Sequence, residues 1–170
     1  MHYILDIVKS IFFGLSSGLP HCHLLLWLEK KIHSSDIDSI ISAELPDPNE
    51  DPELFEIVTS NMIHGPCEGV NNNSPCMSDR HCSKRYPKTF VEETQTNDDG
   101  YPLYRRRSPN QGGHVTTLPL KINNRKQDFP IDNRWIVPYN PFLSRAFKCH
   151  INVEFSSSVR SVKYICKYQL

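Results

Sequence analysis

Gly18-Leu19-Pro20-His21-Cys22-His23-Leu24-Leu25-Leu26-Trp27-Leu28-Glu29 is the stretch from which the fold is read. Leu24 to Leu28 is an unbroken apolar run entered through Gly-Pro. Its length and flanks favour a buried strand over a helix, although periodicity alone does not separate the two. Strand side chains alternate between faces, so His21 and His23 point one way and Cys22 the other. Two imidazoles at a fixed separation can offer two nitrogen ligands to one divalent ion. The same spacing also suits two hydrogen-bonded surface histidines.

Around this strand, the 170 residues suffice for one α+β domain with a core and fall short of an eight-fold β/α barrel, which needs roughly 250. Lys+Arg and Asp+Glu both number 19, so there is no global basic field, and any nucleic-acid contact must come from local clusters. The opening segment to Leu15 is apolar but interrupted by Asp6 and Lys9, which argues against both a signal peptide and a membrane span. An intracellular protein with reduced cysteines is expected, its thiols free or metal-bound.

Residues 1 to 15 fit either a short helix or a strand. Downstream, Ser34-Ser35-Asp36 predicts the cap of a helix through Ile37, Ile40, Ile41 and Leu45, stopped by Pro46 and Pro48. Asp51 as cap with Pro52 at the first position predicts a second helix, with Leu54, Phe55, Val58 and Met62 on its core face and Gly65 past its end. A Cys-rich loop at 64–88 follows. His64, Cys67, Cys76 and Cys82 are the ligand types of a structural zinc site, which would give shape to a loop rich in Pro, Gly and Asn. The spacing is irregular and contains no Cys-x-x-Cys pair, so free thiols are the competing reading.

Asn97-Asp98-Asp99-Gly100 predicts a hairpin turn before Tyr101-Pro102-Leu103-Tyr104-Arg105-Arg106-Arg107. Arginines alternating along that strand, with tyrosines between them, fit a surface that neutralises phosphates and stacks bases; a solvated face is the plainer alternative. Trp135 to Tyr139 and Cys149 to Glu154 read as two more strands. In the second, Ile151 and Val153 share one face, while His150, Asn152 and Glu154 share the other. Glu154 is either a carboxylate ligand beside the histidine strand or an exposed residue. A last helix from Val159 to Leu170 is predicted to gather Arg160, Lys163, Tyr164, Lys167 and Tyr168 on one side and Val159, Val162, Ile165 and Cys166 on the other. Two phenols one turn apart among cations suit nucleophilic attack on a metal-polarised phosphate.

The pairing of a two-histidine strand with a downstream two-tyrosine helix resembles the replication-initiator-like endonuclease domain of Helitron transposases, the two-tyrosine HUH nucleases found in the Helitron helicase-like N-terminal region. Further matches are His64-Gly65-Pro66-Cys67, Ser74-Pro75-Cys76-Met77, Cys82-Ser83-Lys84-Arg85-Tyr86-Pro87-Lys88, Gly100-Tyr101-Pro102 with Tyr104 to Arg107, Asn133 to Pro141, Cys149 to Glu154, and Ser161 to Tyr168. The resemblance covers the chain from about Gly18 onward.

It implies a central antiparallel sheet flanked by helices, with the His21/His23 strand at its centre and the tyrosine helix crossing close by. It implies that His21 and His23 hold Mg²⁺ or Mn²⁺, with Glu154 a candidate third ligand, and that Tyr164 and Tyr168 attack single-stranded DNA. A 5′-phosphotyrosine link and a free 3′-hydroxyl would form in rolling-circle-like transposition, assisted by Lys163 and Lys167. Lys84, Arg85, Tyr104, Arg105, Arg106, Arg107 and Arg160 become the candidate DNA contacts, and a nuclear location follows.

The chain departs from the family at Phe13-Gly14-Leu15, where a Glu-Phe-Gln-like segment is usual, and at Gln169-Leu170. Residues 1–17 are accordingly read as a divergent or truncated segment and residues 18–170 as an incomplete HUH domain, without the helicase domain of full-length members. Two readings stay open: an active DNA endonuclease and strand transferase, or an inactive transposon-derived fragment that keeps a DNA- or zinc-binding surface. A zinc hydrolase built on His21 and His23 has no visible distal ligand set.

Overall fold

The computed structural model describes residues 8–15, 22–28, 32–96, 102–122 and 125–156, with backbone alone for 8–15 and for Cys22, His23, Leu25, Trp27 and Ser34. Within them the protein is α+β, with small antiparallel strand pairs and few helices. The order is β1 (Val8–Leu15), β2 (Cys22–Leu28), α1 (Ile37–Ile40), α2 (Pro52–Asn61), β3 (Met77–Ser78), β4 (His81–Cys82), β5 (Gln95–Thr96), β6 (Pro102–Leu103), β7 (Val115–Ile122), β8 (Arg125–Asp132) and α3 (Pro141–Phe147). The described strands form four two-stranded sheets, each pairing neighbours in sequence.

The opening segment takes the strand alternative: β1 runs antiparallel to β2, with Phe13 opposite Leu24 and Gly14 opposite His23. Leu24 is 50% exposed and Leu26 38%. The apolar run is thus a strand, but this face of it is not buried as expected, because an unbroken apolar sequence carries no alternation to say which face is covered.

The helix α2 forms as its caps dictate. The Asp51 carboxylate accepts the Leu54 N–H at 3.1 Å, Pro52 occupies the first turn, and Leu54, Val58 and Met62 are buried. Each such side chain contributes roughly 1.5–3 kcal/mol by leaving water. Beside it lies α3, capped by the Asn140 side chain on Leu143 N–H at 2.9 Å and tied to α2 by Lys148–Glu53 at 2.9 Å and by Arg145–Asp51. The first predicted helix is shorter than expected: after a turn at Ser34–Asp36 only Ile37–Ile40 is helical, and Ser42 instead forms a bridge with Tyr139.

The predicted strand at Trp135 to Tyr139 is also corrected. Asn133–Trp135 is a short helical turn, and the backbone beyond it is satisfied by single bridges, Ile63 with Ile136 and Ser42 with Tyr139. Cys149 to Glu154 forms no strand either. It is an extended run whose alternation survives, Ile151 and Val153 turned inward and Asn152 and Glu154 outward, held by Val153 N–H on the Pro138 carbonyl at 3.0 Å.

The arginine segment departs most. Only Pro102–Leu103 is strand, and Arg106 bridges Val91. Arg106 is 4% exposed, and its guanidinium donates to the carbonyls of Ala43 at 3.1 Å, Ile136 at 2.7 Å and Asn133. Arg105 and Arg107 converge on the buried Glu44, whose carboxylate accepts Arg107 Nη2 at 2.8 Å, the Arg107 backbone N–H at 2.6 Å and Arg105 Nε at 3.2 Å. Burial works against ionisation of Glu44, but the Arg107 hydrogen bonds outweigh it and hold its carboxyl below the usual range. Tyr104 is buried, and its hydroxyl accepts the Phe155 N–H at 2.7 Å. These residues join segments of the core; the Arg106 guanidinium and the Tyr104 ring are not on a face that a nucleic acid can reach.

The main core joins Leu54 and Val58 of α2 and Met62 just past its end with Cys67, Cys82 and Tyr86 of the cysteine loop, Ile131 of β8, and Trp135 to Val137 with Tyr139. Backbone bonds fasten the loop's ends to this run: His64 N–H to the Trp135 carbonyl at 2.8 Å, Val137 N–H to Met62 at 2.8 Å, and Lys88 N–H to Arg134 at 3.0 Å. A second cluster packs Ile37, Ile41, Ala43 and Tyr104.

Candidate metal centre

The irregular cysteine spacing resolves into two turns. Cys67 heads the first, where its carbonyl accepts the N–H groups of Val70 at 2.8 Å and Asn71 at 2.6 Å, and Gly69 at φ 77° supplies the left-handed backbone the turn requires. The second is the β3–β4 hairpin, in which Met77 pairs with Cys82 and Ser78 with His81. Its two turn residues, Asp79 and Arg80, both have positive φ, the signature of a tight hairpin turn matched to strand twist. One further bond, Ser83 N–H to the Cys76 carbonyl at 2.8 Å, sets Cys76 and Cys82 side by side.

His64 enters from the end of α2. Its imidazole stacks on Tyr86, with ring centroids 4.1 Å apart and planes 13° apart, and Lys88 Nζ lies 4.8 Å from that tyrosine's centroid. The ligand atoms of His64, Cys67, Cys76 and Cys82 all lie within 4.8 Å of one another. His64 Nε2 is 3.4 Å from Cys82 Sγ. Bond lengths of about 2.3 Å to sulfur and 2.0 Å to nitrogen place ligand atoms roughly 3.5–3.8 Å apart around a tetrahedral zinc. Three sulfurs and one imidazole nitrogen are the donors of a closed structural site, and this cluster can hold a metal ion.

The electrostatics fit that use. Burial, reinforced by the charges of Lys88 and Lys84, draws His64 below its ordinary value, favouring the neutral imidazole that binds metal. Burial pushes the Cys67 thiol up to about 12 and raises Cys76 as well. At Cys82 burial is outweighed by the backbone N–H groups of Tyr86 and Lys84 and by the neighbouring thiols, which lower it. A cation at the centre supplies the charge that would let all three thiols ionise.

Glu68 is a residue that sequence reasoning missed. Its carboxylate accepts Cys82 N–H at 3.1 Å and meets His81 Nδ1 at 2.9 Å, pinning the hairpin to the first turn. Its position next to Cys67 was the available signal.

The other expected site residues are not gathered here. Lys84 and Arg85 are exposed on the turn after Cys82. Glu154 is exposed and accepts Asn152 Nδ2 at 3.1 Å. His23 contributes its backbone to β2, while His21, Arg160, Lys163, Tyr164, Lys167 and Tyr168 lie outside the described residues. No protein-family model matches the chain, and no curated protein is significantly similar to it.

Proposed function

We propose that this protein is a single-stranded-DNA-processing domain of the Helitron HUH type, built on a structural zinc knot. The observation that supports this reading is the convergence of His64, Cys67, Cys76 and Cys82, since these residues come from three separate motif segments of the resemblance and meet at one point. Zinc is the metal proposed for the knot, from its donors and closed shell.

In the same reading β1 and β2 belong to a central antiparallel sheet flanked by helices, and His21 and His23 hold Mg²⁺ or Mn²⁺. That ion's chemistry is polarisation of the scissile phosphate. The phenolate oxygen of Tyr164 or Tyr168 attacks phosphorus, the bond to the 3′ oxygen breaks, and the leaving oxygen takes a proton to become a 3′-hydroxyl, leaving a 5′-phosphotyrosine. Lys163 and Lys167 favour the phenolate.

The test is covalent adduct formation on a labelled single-stranded oligonucleotide with Mg²⁺, comparing the parent with a Tyr164→Phe, Tyr168→Phe double variant. An adduct in the parent alone supports the nuclease. An adduct that survives the double substitution rejects the tyrosine assignment. A second reading, a zinc-stabilised DNA-binding remnant without turnover, is favoured by Glu154, which is exposed, outside any strand pairing and in no metal-ligand cluster among the described residues. A parent that binds DNA but forms no adduct supports it.

A further inference from the structure

The longest strand pair of the described residues was not part of the sequence reading. In β7–β8 one face carries Leu118, Leu120, Phe129 and Ile131 onto the main core, and the opposite face pairs Thr117 with Pro130, Pro119 with Asp128 and Lys121 with Lys126. At the far end Ile122 stands opposite Arg125. Lys121, Arg125 and Lys126 are all exposed, and among the described residues none of them makes an ion pair. The carboxylate nearest in register is Asp128, two residues along the strand from Lys126.

Two lysines directly opposite each other on one sheet face bring their Cβ atoms to about 4.5–5.5 Å, and like charges so placed destabilise the pair. Several arginines are neutralised: Glu44 takes Arg105 and Arg107, and Asp132 takes Arg134 at 2.7 Å, whereas the exposed Arg80 and Arg85 make no ion pair among the described residues. Three exposed cations at one hairpin end, unpaired among the described residues in a chain whose overall charge is zero, form a local anion-seeking feature.

We infer that the Lys121/Arg125/Lys126 end of the β7–β8 hairpin grips the phosphodiester backbone of single-stranded DNA. This rests on the reading of the protein as a DNA-processing domain and adds a contact surface away from the motif residues. It takes over the phosphate-neutralising role that the buried Arg106 and the Glu44-paired Arg105 and Arg107 are poorly placed to serve. A phosphate chain is the fitting occupant because lysine and arginine contacts to it need no base sequence, and a strand crossing the hairpin end can meet the Lys121/Lys126 pair on one face and Arg125, which the register sets on the other.

The test is fluorescence anisotropy with the zinc-loaded full chain and a labelled mixed-sequence single-stranded oligonucleotide, across a salt series. The parent is compared with a Lys121→Gln, Arg125→Gln, Lys126→Gln variant. Each lost phosphate contact lowers the salt slope by about 0.7, which is about fivefold in affinity at 0.1 M salt and about 10²-fold for three. A Lys148→Gln variant, on the exposed end of α3, is expected to bind as the parent does. Loss confined to the hairpin variant, with the thermal midpoint not lowered and zinc content unchanged, supports the inference. If the parent binds and the hairpin variant binds equally with the same slope, the inference fails while the DNA reading stands. If the parent binds no single-stranded DNA, both fail. If it binds anionic phospholipid vesicles as tightly and the substitutions weaken both alike, the nucleic-acid assignment is overturned.

Discussion

The carboxylate of Glu68 accepts the backbone N–H of Cys82 at 3.1 Å, so the turn that carries Cys67 holds in place the hairpin that carries Cys76 and Cys82. Partners of this kind orient metal ligands without touching the metal, and their loss commonly weakens affinity 10–100-fold. Glu68→Ala is expected to weaken zinc binding by about tenfold or more in a competition titration against a chromophoric chelator, with folding retained at saturating zinc. An unchanged affinity would remove Glu68 from the site.

Removal of a ligand should act on folding as well as on metal content, since Cys67 and Cys82 are core residues. Cys76→Ser is the informative change because Cys76 is only partly buried and contributes least to packing. Purified Cys76→Ser protein is expected to hold less than stoichiometric zinc and to melt at lower temperature than the parent, and chelator treatment of the parent should reproduce the loss. Equal zinc in the two proteins by elemental analysis would sink the proposal of a zinc knot.

Glu44 makes stability depend on pH. Against the opposing effect of burial, its carboxyl is held below its ordinary value by the Arg107 hydrogen bonds, so the unfolded chain binds the proton more readily than the folded one. The contribution is present in full above that value and is lost as pH falls through the lower, folded one. Glu44→Gln should cost about 2 kcal/mol at neutral pH, and the loss should shrink on acidification below about pH 4.5. Urea unfolding of parent and variant across acid pH measures it; parallel stability curves would contradict the linkage.

Arg106 is expected to matter for folding and not for DNA contact. Arg106→Met leaves the carbonyls of Ala43, Asn133 and Ile136 without their donor, at a cost of about 3 kcal/mol in urea unfolding. Any folded fraction should bind oligonucleotide with the salt slope of the parent. A reduced slope would return Arg106 to the DNA surface.

What could be read ahead of the structure was local. Asp51-Pro52 and the spacing of Leu54, Val58 and Met62 specify α2 from within a dozen residues, and the ligand types of the metal centre are visible in the sequence. How those ligands meet was not, because Asp79-Arg80 lacks the glycine or asparagine that usually announces a two-residue turn. The roles of Arg105 and Arg107 depend on Glu44, more than sixty residues away, and a run of arginines looks the same whether it faces solvent or a buried carboxylate. Pro119 and Pro130 concealed β7 and β8: proline argues against a central strand, but in a two-stranded ribbon both strands are edges and can accommodate it. Asn140-Pro141 did announce α3 and went unread beside the apolar run before it.

The bonds that fasten the metal loop at both ends to Arg134, Trp135 and Val137 bear on the order of assembly. A free-standing zinc finger closes around its ion by contacts near in sequence. This loop closes against a run made much later in the chain, so the entropic cost of a long closure must be met before its last backbone bonds form. During synthesis the four ligands leave the ribosome well before the run that fixes their frame. An excised peptide spanning 64–88 would keep the donors and lose the two backbone ties, at His64 and Lys88, that fix its ends.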